Sequence, residues 1–415
     1  MRFFKITLGV LFALGLAAFL YSNKILIERY YTQGATGHPY GYTWYDPVEL
    51  IEGKHSVFLR VLPDKQKTIS QGALRTAQEY AADNGSESLL IWHRGALQLA
   101  EYWMGVGPSD VVNSRSMHKM VGGLLIARAI AEGHIFSVDD SVAQYIPQWR
   151  GTDKEAISVR NVLQMSSGLR WFSIRDSSPF GLSSRRYLDP YWDEVLLNEI
   201  PMSFVPGTEY DYSDTTADLI PHIIQGSTGQ RYAKYLSEAL IKPLEAQGGF
   251  IWINREGGMP HGGCCLMLPP ETWLRLGIFL LNEGVLDQET LLPDGWINEM
   301  LSPSPNKKHF GMMIWLGKPH VQRRLYHRID SPNNQVQKPG VYNSEPFLAQ
   351  DLYMFDGAEG RIVYIVPSAD LVIVRTGFRP SPEQDEWDNT FLPNTILRGI
   401  KPETAAVSDR GDTKP

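Results

Sequence analysis

A chain of 415 residues that is 43% hydrophobic and 20% charged has ordinary globular composition and room for a large catalytic core, which excludes global disorder. Its 46 acidic and 39 basic residues leave a net charge of −7 with no dense basic stripe, so a nucleic-acid binder is excluded as well. The two cysteines, Cys264 and Cys265, are sequence neighbours; buried thiols rather than a bridge are expected of them, and neither is expected to locate function. His261-Gly262-Gly263-Cys264-Cys265 matches no metal-ligand spacing, and HExxH is absent.

Arg2 and Lys5 precede an uncharged run from Ile6 to Tyr21 that Lys24 closes. This run is long for the apolar core of a cleaved signal and slightly short for a spanning helix. No small-x-small cleavage site follows Tyr21, so residues 1–23 are expected to be an uncleaved single-pass anchor, with secretion after cleavage as the alternative. The basic residues ahead of the run predict a tether in a bacterial inner membrane with the remaining chain in the periplasm. Residues 24–65, rich in Tyr, Gly and Pro, read as a linker that wraps around the next domain.

A single large domain is then expected over 66–400. Thr68 to Ala82 reads as a helix stopped by Asn84-Gly85. Ser88 to His93 and Leu97 to Trp103 read as a hairpin turned by Arg94-Gly95-Ala96. Met117, Met120, Val121, Leu124 and Leu125 open a long helical region with an amphipathic helix that Gly133 ends. Strand signals return at Phe310 to Leu316, Leu352 to Phe355, Arg361 to Val366 and Leu371 to Thr376. The pattern predicts an α+β fold, with one antiparallel sheet built from both ends of the chain and a helical insertion between them. The polar tail 401–415 is expected to be disordered.

Ser116-Met117-His118-Lys119 is an S-x-x-K, a spacing that sets serine and lysine one helical turn apart on the same face. A serine hydroxyl is a poor nucleophile until a neighbour takes its proton, and a lysine amine does so once burial lowers its pKa. The plain alternative for Ser116 is an N-cap. A second match, Ser304-Pro305-Asn306-Lys307, falls in a Pro-rich loop with no helix to hold lysine over serine. G-x-S-x-G occurs nowhere, so the nucleophile elbow of an α/β-hydrolase is missing. His118 points elsewhere on the helix and reads as structural.

Ser116 to Pro147, with Ala131-Glu132-Gly133-His134-Ile135 and Val138-Asp139-Asp140-Ser141-Val142-Ala143-Gln144-Tyr145-Ile146-Pro147, resembles the β-lactamase superfamily of serine hydrolases. Asn161 to Leu169 resembles its "LLxMxSGL" segment, and Pro206-Gly207-Thr208 leading into Tyr210-Asp211-Tyr212-Ser213-Asp214 its "PG…YSN" segment. The flavour is that of class C β-lactamases, esterases and 6-aminohexanoate-dimer hydrolases, over about residues 70 to 378. The resemblance implies a β-lactamase/transpeptidase-like fold, Ser116 as nucleophile, Lys119 as its base and Tyr212 as the tyrosine that passes a proton to the leaving group. The literal Tyr21-Ser22-Asn23 precedes the serine and abuts the apolar run, and is coincidence.

Two positions depart from the family pattern. The strand motif KTG or HTG is best matched by Phe355-Asp356-Gly357 ahead of Ala358-Glu359-Gly360-Arg361, and its cation is absent. Gly357 fits the point where backbone approaches substrate, and the Ala358 N–H would join that of Ser116 as an oxyanion hole. Arg361 either supplies the missing charge or is a solvent-facing strand end. Asp214 replaces the family asparagine, and a carboxylate near Lys119 favours the charged amine, which opposes general-base action. Asp214 is therefore turned away or partly protonated, or catalysis leans on Tyr212, or activity is low; a further option is that it caps the helix beginning near Thr215. The expected activity is cleavage of an amide or ester in a small molecule or peptide, through an acyl-enzyme and without a cofactor. A degenerate member that binds a cell-wall peptide or a partner protein is the alternative. Trp171, Phe172, Tyr187 and Tyr191 are candidates to line the pocket.

Overall fold

The computed structural model describes residues 2–35, 45–54, 58–170, 180–326, 340–378 and 386–402. Leu89 to Ile91, Ile362 to Val366 and Leu371 to Val374 are buried without alternation, as in strands covered on both faces. They form the middle of a six-stranded antiparallel sheet ordered Ala96–Tyr102, Ser86–His93, Leu371–Gly377, Arg361–Val366, Tyr353–Gly357, Trp315–Leu316. Two strands from the start of the domain thus pair with four from its end, the α+β arrangement expected. Arg94 and Gly95, both at positive φ, make the tight turn of the first hairpin. Of the expected strand Phe310 to Leu316 only Trp315–Leu316 joins the sheet, because Met313 lies in the left-handed region (φ 55°) and turns the chain.

Helix Gln71–Asp83, capped by the Ser70 side chain, packs on Ser86–His93 and on the late helix Phe391–Arg398. Helix Pro270–Leu281 packs on the strands Arg361–Val366 and Leu371–Gly377. The insertion is centred on His118–Ala131. Instead of the amphipathic helix expected, this one is buried all round: Leu124, Ile126 and Ala127 are inaccessible, Gly122 lies on Ile220 and Gly123 on Met313. An all-round apolar helix belongs at the centre of a large domain, where it can anchor reactive groups rigidly.

Residues read as a linker contribute structure of their own. Val48–Ile51 is the edge of a second antiparallel sheet, followed by Gly249–Trp252, Leu266–Leu268 and Val112–Asn113. Helix Lys24–Ala35 docks through buried Leu26 and through Arg29, whose guanidinium donates to the carbonyls of Asp46 (3.0 Å) and Asn254 (2.6 Å). Ahead of it, helix Arg2–Ser22 leaves Leu8, Leu11, Phe12 and Leu14 exposed. Among the described residues no single helix is long and apolar enough to cross a membrane; Thr7–Ser22 and Lys24–Thr32 pass that test only as a pair bent by 62°. The tail expected to be disordered lies outside the described residues from 403 onward.

Truncating Leu124 at the centre of the buried helix should cost about 2–5 kcal/mol. Urea unfolding of Leu124→Ala checks this: the midpoint should fall at an unchanged slope. A loss below about 1 kcal/mol would contradict close packing at this position.

Candidate active site

Strand Val112–Asn113 passes the chain into a single 3₁₀ turn, Arg115–Met117, that leads into helix His118–Ala131. Arg115 sits at φ 48°, held there by its N–H on Asn113 Oδ1 (2.9 Å) and by Ser114 Oγ on its carbonyl (2.9 Å). A side-chain-bearing residue stays in that region only when its surroundings over-determine it, a condition concentrated at functional sites. Ser116 is thereby presented half-buried at the head of the helix. It caps nothing, since the N-cap is Met117 and makes no side-chain bond. Its Oγ instead accepts a hydrogen bond from Lys119 Nζ at 2.9 Å and is hydrogen-bonded to the Tyr212 hydroxyl.

Lys119 Nζ also donates to Asp214 Oδ1 (2.5 Å) and to the Gly263 carbonyl (2.8 Å), and lies 4.7 Å from the Tyr212 ring. Asp214 is therefore turned toward the lysine, and the cap of helix Asp214–Ala217 is Ser213, whose side chain accepts from Thr216 N–H. Behind Asp214 stands a cation that the sequence reading missed. Arg186 Nη1 lies 3.2 Å from Asp214 Oδ2, while its Nε and Nη2 grip Asp218 at 2.8 and 3.0 Å. Asp218 is held further by Trp192 Nε1 and by the Gly263 N–H, both at 3.0 Å. Lys119, Asp214, Arg186 and Asp218 thus form a buried chain of alternating charge.

Burial pushes the Lys119 amine below its ordinary value; Asp214 pulls it back up, and Arg186 adds to the lowering. Burial raises the Asp214 carboxyl, but Arg186 and then Lys119 outweigh it and hold the group below the ordinary carboxylate range. Asp214 is therefore ionised, and Arg186 shares its charge. Burial drives the Tyr212 hydroxyl far above its ordinary value despite the Ser116 hydrogen bond, so it stays protonated and suits a donor rather than a base. Of the two neighbours of Ser116, only the lysine is tuned to accept a proton.

Gly357 ends strand Tyr353–Gly357 directly over the Ser116 turn: a Cβ there would meet the Ser114 carbonyl at 2.7 Å and Met117 Cγ at 3.3 Å. This close approach requires glycine and puts Ala358, the next residue, beside the serine turn. Phe355 is buried in the core. Asp356 is paired with Arg324, a second cation unforeseen in the sequence, which also stacks 4.0 Å over Trp315. Arg361 is not solvent-facing: it is fully buried between Glu359 and Glu87.

Ser304 and Lys307 form a bridged turn in which Lys307 Nζ donates to the Leu325 carbonyl instead of to the serine. His118 is buried, and burial lowers its pKa to about 4. Its Nδ1 faces the carbonyls of Cys264 and His261, at 2.9 and 3.0 Å, and its Nε2 the Tyr232 hydroxyl at 2.8 Å. Two carbonyls at Nδ1 assign the proton there, a structural tautomer. Tyr187 is buried in a stack with His261 and Trp252. Tyr191 lines a cavity of about 340 Å³ against Ser22, Asn23 and Leu26, toward the N-terminal helices. Trp171 and Phe172 lie outside the described residues. Contrary to the expectation of two thiols, Cys264 and Cys265 are joined in a disulfide. No cluster of His, Cys, Asp and Glu suited to a metal occurs among the described residues.

A family model described as Beta-lactamase matches residues 75–259. The 6-aminohexanoate-dimer hydrolase of Paenarthrobacter ureafaciens is 27% identical over 328 residues, 76% of this chain and 78% of that one. A Bacillus anthracis structure provisionally named a 6-aminohexanoate-dimer hydrolase superposes with a TM-score of 0.65 at 17% identity, over 86% of this chain and 91% of its own. A family VIII carboxylesterase does so with a TM-score of 0.57 at 14% identity, over 83% and 100%. At those identities the two structures speak for the fold alone. The chain has the β-lactamase/transpeptidase-like fold, and the family model over residues 75–259 and the hydrolase relative make it similar to the β-lactamase-type serine hydrolases.

The charge chain makes a signed prediction. A lysine base works only when deprotonated, so kcat/KM should rise as pH climbs through the Lys119 pKa. Asp214→Asn removes a contribution that raises that pKa and should move this acid limb to lower pH by roughly 1–3 units. Arg186→Met removes a lowering contribution and leaves Asp214 unshared, so the limb should move up. Shifts of the same sign in both variants would contradict the alternating-charge reading.

Proposed function

We propose that this chain is a serine hydrolase that cleaves an amide or ester bond through an acyl-enzyme on Ser116. The observation that carries the reading is the Lys119 amine, buried and 2.9 Å from Ser116 Oγ, with a pKa pushed down by that burial. Neutral Lys119 takes the serine proton as Oγ adds to the substrate carbonyl. The oxyanion accepts hydrogen bonds from the N–H groups of Ser116 and Ala358, which the close packing of Gly357 brings to the serine turn. Tyr212 gives its proton to the departing nitrogen or oxygen and recovers one from Lys119. Water then adds to the acyl-enzyme, and the same groups return Ser116 to its hydroxyl form.

The named hydrolase relative, similar over most of both chains, supports a linear amide as substrate. Phe355 in place of the family cation, with Arg324 already paired to Asp356, favours an uncharged group at this strand over the carboxylate of a β-lactam. Ser116→Ala should abolish both turnover and labelling by a fluorophosphonate probe while leaving the melting temperature unchanged. Mass spectrometry of the wild-type adduct should find it on the peptide containing Ser116. Labelling at Ser304 would overturn the assignment, and no labelling at all would favour a binding protein without turnover.

Membrane tethering by residues 1–23, ahead of a hydrolase domain spanning about 66–400, belongs to the same proposal. It is supported by the exposed side chains of Leu8, Leu11, Phe12 and Leu14 on a helix that packs little against the domain. After alkaline carbonate washing the full chain should stay in the membrane pellet, and a chain lacking residues 1–23 should not. Release of the full chain would refute the tether.

A further inference from the structure

The loop 261–265 forms the wall behind Lys119, and it meets the charge chain through its backbone. The Gly263 carbonyl accepts from Lys119 Nζ at 2.8 Å, the Gly263 N–H donates to Asp218 at 3.0 Å, and the Cys264 carbonyl faces His118 Nδ1 at 2.9 Å. A Cβ on Gly263 would lie 2.7 Å from Asp214 Oδ1 and 2.8 Å from Arg186 Nη2, so the loop presses directly on the network. Contacts of this kind depend on the conformation of the loop rather than on its side chains. Cys265 holds φ at 72°, which a residue with a side chain adopts only under constraint. The constraint on hand is covalent, the disulfide to Cys264. Cys264 Sγ lies 4.0 Å from Arg186 Nη2 and Cys265 Sγ 3.7 Å from the Tyr45 hydroxyl.

We propose that the Cys264–Cys265 disulfide is a positioning element of the active site that makes activity conditional on an oxidising environment. The inference rests on the reading of Ser116 and Lys119 given above. A dithiol reductant opens the bond in two exchanges: one thiolate attacks a cysteine sulfur, and the second displaces the mixed disulfide. Two electrons and two protons pass to the protein, leaving two cysteine thiols and an oxidised dithiol. The unlinked sulfurs then move apart, the loop relaxes, and the Gly263 carbonyl leaves the Lys119 amine. The base loses its alignment on Ser116 and gains access to water, which weakens the burial that lowers its pKa. Disulfides persist outside the cytoplasm and are reduced within it, so the full chain would gain its activity only after export.

The experiment uses the full chain purified without reductant, with iodoacetamide and mass spectrometry counting thiols before and after dithiothreitol. The untreated chain should take up no label on Cys264 or Cys265 and should react with the fluorophosphonate at Ser116. An aliquot of the reduced chain should take up two alkyl groups, and the unalkylated remainder should show kcat lower by roughly tenfold to a hundredfold. Its KM should stay within about twofold, since alignment of the base acts after binding, and its acid limb should move to higher pH. Reoxidation of that remainder should restore kcat and the acid limb. Cys264→Ser/Cys265→Ser should stay at the reduced level and ignore dithiothreitol; if that variant does not fold, the reduced wild type, checked by near-ultraviolet circular dichroism, decides. Full activity in a reduced chain whose aliquot takes up two alkyl groups would overturn the proposal and leave the Ser116 reading standing. An oxidised chain inert at Ser116 would overturn that reading and this inference with it.

Discussion

Everything near Ser116 follows from burying one amine. A lysine in water is protonated at neutral pH and useless as a base, and moving it into a core is costly unless its charge is matched or shed. Here both solutions are set against each other: burial drives the proton off Lys119, and Asp214 at 2.5 Å draws it back. Arg186 sets the balance by engaging Asp214 and Asp218 together. The charge on Asp214 is thereby shared instead of being spent wholly on the lysine. Removing a single partner would strand an uncompensated charge in the interior, which is why the four groups act as a unit.

The fold supplies the rigidity that such a balance needs. Lys119 lies on a helix packed on every side, Ser116 on a turn strained at Arg115, and Gly263 and Gly357 close in from two different sheets' connections. Positive φ at Arg115, Cys265 and Glu359 marks three points around the serine where local preference yields to the site. Consistency elsewhere, in the long uninterrupted strands and the central helix, sustains that local conflict.

The parts legible in the sequence were those set by local periodicity and spacing. The four long strands of the main sheet and the turn at Arg94-Gly95 could be read directly, as could a serine and a lysine one turn apart. The parts that were not legible depend on distant pairing. Nothing local in Leu182 to Leu188 marks Arg186 as the partner of Asp214, because helix charges ordinarily face solvent. The disulfide is not legible because neighbouring cysteines rarely close a relaxed bridge, and nothing local in the sequence marks Cys265 for the left-handed region it occupies. For Arg361 the sequence leaves open the missing cation or a strand end facing water, because its partner Glu87 comes from a strand at the opposite end of the domain. The central helix was taken as amphipathic because its apolar residues fit one face, yet Gly122, Gly123 and the alanines make its other face apolar as well.

The claim on which the rest stands is that Lys119 gives up its proton more readily than an ordinary lysine. It can be measured without substrate by competitive labelling with acetic anhydride across a pH series, reading the extent of modification at each lysine by mass spectrometry. Lys119 should become reactive at a pH clearly below the ordinary value of 10.5, and below the exposed lysines of the same chain. A Lys119 that titrates at 10.5 or above would mean that Asp214 wins, and the amine could not serve as the base.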